Sequence, residues 1–312
     1  MNRLKHMLNR FAFLLTVVLV GSPAAHPQAG NAGLAFLKLG VSARGVAMGD
    51  AMSASVQGSP STYYNPAGLI TPCNNCKAVQ LMFTHKEWIQ DTRMEFLGAS
   101  IRINDEHALG VSINSTTTSD IEIRTLPGPS EGTFTARDFS AGLSYAYRAS
   151  DVLRIGTTMK FLYEKIFIDE TSGFACDLGA QYETPIENLS VGAVLANLGG
   201  MRDLRNEKTK LPALLRVGPA YALVLESANS TVSLAADLVQ IFPEKRTYLN
   251  AGGEFFFNQV VAGRAGYQFG SEGRGFSAGI GLQYGIFVVD YAYAPVSSEL
   301  GNTHTITLAL SL

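Results

Sequence analysis

Charge is scarce in this chain. Lys, Arg, Asp and Glu make up 16% of the 312 residues, against roughly 25% in typical soluble domains. The net charge of −2 excludes the basic face that nucleic-acid binding requires. Long apolar runs are missing too. Residues 11–20 form a short one, and no later stretch approaches the roughly twenty residues a helix needs to cross a bilayer. Cysteine is limited to Cys73, Cys76 and Cys176. The first two enclose Asn74 and Asn75, a spacing that suits a local disulfide outside the cytoplasm. They lack a second thiol pair for a zinc site, and Lys77 stands where haem attachment needs a histidine. No βαβ pattern surrounds them, which argues against a redox centre. Cys176 reads as a lone lipid-facing residue. His85, His107 and His304 are too scattered for a metal site, and Ser42, Ser53 and Ser61 have no His/Asp partners for nucleophilic hydrolysis. The expectation is a protein with no enzymatic activity, no metal and no cofactor.

What is present begins with an export signal. Arg3, Lys5 and Arg10 precede the apolar run 11–20, and Ala24, Ala25 and Ala29 offer small residues for cleavage, so residues 1–29 read as a secretory signal peptide. An exported chain with little charge and no spanning helix points to the outer membrane of a Gram-negative cell.

From about Lys77 onward, large apolar residues alternate with small or polar ones, the period of a strand with two different faces. Leu97, Ala99 and Ile101 alternate with Gly98, Ser100 and Arg102, and Phe287, Val289 and Tyr291 with Val288, Asp290 and Ala292. The pattern gives about fourteen strands, an even number, as in bacterial outer-membrane barrels. A soluble sandwich would expose many more Lys and Glu residues than this polar face carries. The expected fold is all-β, a transmembrane antiparallel β-barrel spanning 77–312. Connections alternate accordingly. Those at Asp105, Ser150, Pro185, Ala228, Asn258 and Gly285 are tight, as periplasmic turns are, and 126–137, 199–211 and 295–302 are long outer loops.

Ahead of the strands, residues 39–70 show no sustained alternation. Gly40, Gly45, Gly49, Gly58 and Gly68 punctuate them, letting the backbone turn and pack closely. Asn65 before Pro66 marks a turn. Backbone this irregular cannot face lipid, where every amide needs a partner, so residues 30–76 read as an N-terminal plug sheltered inside the barrel. The run Arg44-Gly45-Val46-Ala47-Met48-Gly49-Asp50-Ala51, followed by Tyr64-Asn65-Pro66-Ala67-Gly68-Leu69, resembles the N-terminal signature of the PorV/PorQ family, a branch of the FadL-like outer-membrane barrels. The resemblance implies an adaptor or shuttle for type IX protein secretion and surface attachment of cargo, with secretion-system proteins and cargo as partners beside outer-membrane lipid. Its alternative, from the more distant FadL branch, is a transporter of long-chain fatty acids or other hydrophobic small molecules.

The lumen-facing ionisable residues are balanced: Arg102, Arg154, Lys160, Arg216 and Arg264 against Glu164, Asp177, Asp237, Glu254 and Asp290. Balance suits pairs that cross-link lumen and plug, whereas an ion-selective ring favours one sign; solvated charges in a wet pore are the other reading. Arg44 and Asp50 either join that network or pair locally, and Asn65, Pro66 and Gly68 set the plug turn so that Gly45, Gly49 and Gly68 pack on the wall. Trp88, with Tyr63 and Tyr64, suits core, plug or interfacial girdle, and at the outer end of the first strand it reads most simply as a membrane-interface anchor. In loop 199–211, Arg202, Asp203, Arg205 and Lys208 form either a solvated surface or a docking site for a protein partner. A continuous apolar tunnel with a lateral gap would favour transport, and a plugged polar lumen the adaptor.

Overall fold

The computed structural model describes residues 33–70, 78–124, 126–204, 208–271, 273–296 and 301–312. Cys73, Cys76, Arg205 and the signal-peptide segment lie outside them. The strands are β1 (Val79–Glu87), β2 (Thr92–Arg102), β3 (His107–Ile123), β4 (Gly132–Arg148), β5 (Leu153–Ile166), β6 (Asp169–Glu183), β7 (Leu189–Met201), β8 (Leu214–Leu225), β9 (Ser230–Ile241), β10 (Arg246–Phe257), β11 (Val261–Phe269), β12 (Phe276–Tyr284), β13 (Phe287–Pro295) and β14 (Asn302–Ser311). Each pairs antiparallel with its chain neighbours, and β1 pairs with β14, so the fourteen strands close into a barrel without edges. Closure leaves the sheet with no unpaired edge, the condition for crossing lipid with strands.

The two faces are inverted relative to a soluble protein. Outward-facing Leu97, Val111, Leu143, Met159, Ile280 and Leu308 are 49–60% exposed, whereas inward-facing Thr84, Ser144, Thr158, Asp177, Gln181 and Asp237 are at most 1% exposed. Such a surface is stable only against hydrocarbon, the depth-dependent environment of a barrel wall.

The expected short turns are found, but the outer connections are more varied than the sequence suggests. Half of the span 126–137 is strand, because β3 and β4 continue their pairing as far as Ile123 and Gly132. The β5–β6 connection is a tight hairpin at Phe167 and Ile168. Length at that end is carried by projecting strands as much as by loops.

The plug occupies the lumen. It contains a 3-10 turn (Ala35–Lys38), helix α1 (Ala43–Ala47), helix α2 (Ser61–Tyr64) and a second 3-10 turn (Pro66–Leu69). Ser42 caps α1 by accepting a hydrogen bond from the Gly45 amide at 3.1 Å, an ordinary N-cap. Asn65 does the same for the last turn, its Oδ1 accepting from the Ala67 amide at 3.1 Å with Pro66 in the first position. Around the plug the contacts change character. Leu39, Val41, Met52, Val56, Tyr63 and Tyr64 pack on Met82 of β1 and on Met94 and Phe96 of β2. Phe36 and Leu37 meet Leu162 and Ala175 on β5 and β6, and Leu69 and Ile70 meet Ala108 and Ala146 on β3 and β4. From β7 to β14 polar and ionic contacts predominate, beside a small apolar cluster of Ala43, Val46 and Ala47 on Ala292 of β13.

Candidate functional site

An ion-pair ladder joins the plug to the wall. Arg44 on α1 donates through Nε and Nη2 to the two oxygens of Glu254, each at 3.0 Å. Glu254 on β10 sits directly opposite Arg264 on β11. Arg264 reaches Glu254 at 2.5 Å and Asp290 on β13 at 2.6 Å. The three wall residues share the lumen face because all fall on the inward phase of their strands. Glu254 raises the proton affinity of the Arg44 guanidinium, so Arg44 stays cationic. A cavity of about 460 Å³ lies beside the ladder, lined by Arg44, Ser55, Glu254, Arg264, Asp290 and Asn188. Asn188 belongs to the β6–β7 turn, which places the cavity at the short-turn end of the lumen.

A second set of contacts fixes the plug near mid-wall. Asp237 on β9 accepts from the Met52 and Ser53 amides at 2.8 and 2.9 Å and from the Ser53 hydroxyl. Asn65 Nδ2 donates to the carbonyls of Ser53 (2.7 Å) and Ala180 (3.0 Å). Gln181 Nε2 reaches the carbonyls of Ser53, Ala54 and Val56 at 3.1–3.3 Å. Arg216 donates to the Tyr64 carbonyl at 3.4 Å and lies over the Tyr64 ring. The Tyr64 hydroxyl donates to Asp50 at 3.0 Å; burial, then the Asp50 carboxylate, pushes that phenol well up. Asp50 pairs with Arg274 at 3.3 Å.

Most residues singled out in the sequence therefore meet, by several routes. Arg44, Glu254, Arg264 and Asp290 form one ladder, and Asp50 pairs with the wall. Lys160 and Asp177 pair with each other at 2.6 Å, and both hold Asn197 at a β-bulge in β7 without touching the plug ionically. Arg154 donates to the Ile70 carbonyl at 3.0 Å and pairs with Glu183. Arg102 lies half-buried at the short-turn end of β2. Pro66 packs on the Gly156 and Gly179 backbone. Two glycine expectations are corrected. Gly45 packs on Tyr64 and Gly68 on Val56, both inside the plug; only Gly49 reaches the wall. There, at φ +64°, a Cβ would stand 3.0 Å from the Ala251 carbonyl oxygen. Trp88 is also corrected: it packs against the plug core through the inward face, because it continues the phase of Thr84 and Lys86. Arg202, Asp203 and Lys208 are exposed. Sequence reasoning missed Arg274, which stands outside a strand, and Lys86, which donates to the Gly40 carbonyl. Extending the Met82–Thr84 phase by two residues identifies Lys86; nothing local identifies Arg274.

The wall has a weak line on the same side. β8 and β9 pair at Leu214 through Val217 and again from Ala220 through Leu225, but Gly218 and Pro219 have no partner across from Ala236 and Asp237. Proline has no N–H to give a ladder, and glycine beside it leaves the strand thin. An apolar groove of about 440 Å³ lies on this seam, lined by Pro219, Tyr221, Leu234, Ala236, Tyr267 and Phe276. Behind it, on the lumen side, stand Asp237 and the plug residues it holds. One and two strands further, on β10 and β11, the backbone at Met48 and Gly49 lies against Gly252 and Gly266.

No protein-family model and no curated protein matches the chain. Solved structures do resemble it. The toluene transporter TodX of Pseudomonas putida aligns with a TM-score of 0.60 at 11% identity, over 86% of this chain and 96% of that one. A deltaS2S3 mutant of the TodX monoaromatic hydrocarbon channel aligns at 0.59 and 12% identity, over 88% and 99%. A Pseudomonas aeruginosa FadL homologue aligns at 0.56 and 10% identity, over 87% and 98%. Strand number, closure, lumen plug and these alignments agree that this chain has the fold of the FadL-like outer-membrane barrels.

Proposed function

We propose that this protein is an outer-membrane channel for hydrophobic small molecules, which leave the lumen sideways through the β8–β9 seam when the plug shifts. The observation that carries the reading is the coincidence of three features at one height: the interrupted ladder at Gly218 and Pro219, the apolar groove outside it, and the plug segment Met52–Ser53 held behind it by Asp237. An apolar solute loses nothing by passing from such an opening into hydrocarbon, whereas release into water costs roughly 25 cal/mol per Å² of apolar surface. Solved neighbours include a toluene transporter and a monoaromatic hydrocarbon channel, which supports the same substrate class.

The type IX adaptor role is the second reading. Its support is the occluded, ion-paired lumen and the exposed Arg202, Asp203 and Lys208. One experiment separates the two. Toluene and palmitate uptake is measured in a Gram-negative host lacking its own such channel, with the wild-type barrel and with Ser53→Cys plus Asp237→Cys. Transport predicts uptake above background, blocked when the cysteines are oxidised and restored on reduction. Absence of uptake of either probe by the folded wild-type barrel overturns the channel reading and leaves the adaptor.

A further inference from the structure

Almost every buried lumen charge described so far has a counter-charge or a set of amide donors. Asp138 and Glu164 do not. They stand directly opposite each other on β4 and β5, both on the inward phase, and neither has a hydrogen-bond or ion-pair partner among the described residues. Glu164 is 8% exposed. Directly opposed residues in an antiparallel pair hold their Cβ atoms roughly 4.5–5.5 Å apart, and like charges there repel. The nearby cation, Lys160, is committed to Asp177 and Asn197. Arg137 and Lys165 lie on the outward phase and are exposed.

The neighbours on β3 supply a second, independent observation. Thr116 is directly opposite Asp138, and Asn114 one inward position along is opposite Ser140. Both are almost fully buried, at 5% and 2% exposure. Among the described residues, the Thr116 hydroxyl and both polar atoms of the Asn114 amide have no hydrogen-bond partner. A buried amide or hydroxyl left unpaired is destabilising, and here that cost recurs beside two carboxylates.

We propose that Asp138, Glu164, Thr116 and Asn114 form a binding site for one hard divalent cation, calcium or magnesium, at the long-loop end of the lumen. The charge argument selects the ion. Two close carboxylates carry −2 with no protein cation assigned to them, so a divalent ion neutralises the pair and a monovalent one does not. The donor set argues the same way, being carboxylate, amide and hydroxyl oxygen, the ligands such ions take. Bound there, the ion ties β3, β4 and β5 together, just beyond the contact of Phe36 and Leu37 with Leu162.

The test uses the full barrel in detergent micelles, stripped with EDTA and titrated calorimetrically with calcium chloride and with magnesium chloride, alongside thermal unfolding. One ion of either metal bound per chain, with a rise in Tm, is the expected result. Asp138→Asn and Glu164→Gln should each weaken binding by roughly tenfold or more, since site affinity follows ligand charge. Asn114→Ala should weaken it less, and the exposed-turn variant Glu187→Gln should bind as wild type. Heat-dependent gel mobility verifies that each variant is folded, and half-buried Asp138 provides the mildest change. The proposal is overturned by no binding of either metal, by undiminished affinity in folded D138N/E164Q, or by an equal Tm rise with potassium chloride.

Discussion

The barrel wall holds its plug by different means on its two sides. Along β1–β6 the plug is bedded mainly in apolar side chains: Met82, Met94, Phe96, Leu162 and the alanines Ala108, Ala146 and Ala175. Along β9–β13 it is held mainly by Asp237, by the Arg44–Glu254–Arg264–Asp290 ladder and by bare glycine backbone, with one small apolar patch where Ala43, Val46 and Ala47 meet Ala292. Close-packed apolar contact is lost all at once and without direction. A charge pair can be exchanged for another partner or for water, one bond at a time. The apolar arc is therefore suited to act as the fixed side and the ionic arc as the side that releases. The seam at Gly218 and Pro219 lies next to the ionic arc, where release would uncover it.

Variants that act on one arc only test this contrast. The largest effects are expected from Phe96→Ala and Arg264→Ala. Truncating a fully buried Phe costs roughly 3–5 kcal/mol. Removing Arg264 leaves Asp290 without its cation and Glu254 with Arg44 alone, and breaking a buried pair costs roughly a similar 3–5 kcal/mol. The two should differ in kind under urea unfolding and planar-bilayer recording. R264A should raise conductance above that of the intact barrel at urea concentrations where it is still folded, and F96A should lower stability without raising conductance. Equal conductance in both would erase the distinction between the arcs.

Next in size is the lipid face of the seam. Leu234→Arg places a charge in the apolar groove and should cost roughly 2–4 kcal/mol, while Ser233→Arg, facing the lumen cavity, should cost clearly less. Equal losses at these neighbours would show that the assigned faces are wrong. Gly266→Val follows. Its side chain would be driven into the Met48 and Gly49 backbone, and overpacking of this kind costs roughly 1–3 kcal/mol. Melting temperature measures it, and Gly263→Val, with open space around it, serves as the silent control. The smallest effect is Asp237→Asn. It keeps one acceptor for the Met52 and Ser53 amides and should lose roughly 1 kcal/mol, the net worth of an ordinary hydrogen bond. Uptake should respond to it more than stability does, because the Ser53 hydroxyl bond that is lost is one of those that hold the plug behind the seam.

Much of this architecture is legible in the sequence. Alternation of Leu97, Ala99 and Ile101 with Gly98 and Ser100 is a local signal, and period-two patterning assigns each side chain to a face without knowledge of its neighbours. The same parity places Glu254, Arg264 and Asp290 in the lumen. Asn65 before Pro66 announces its turn through backbone sterics alone. What parity cannot supply is which strands lie beside which part of the plug. That Arg44 meets Glu254, 210 residues away, while Lys160 and Asp177 turn to each other, depends on how the plug is threaded through the closed barrel. Gly45 and Gly68 signalled close packing but not its partner, since a missing Cβ invites any surface. Trp88 misled because an aromatic at a strand end looks the same whether its phase points to lipid or to the plug. Sequence determined the wall, because strand and face are set by neighbours one and two residues apart. Only tertiary structure decided the ladder, the seam and the unpaired Asp138–Glu164 row, because each exists only where barrel closure brings distant strands and the plug to the same height.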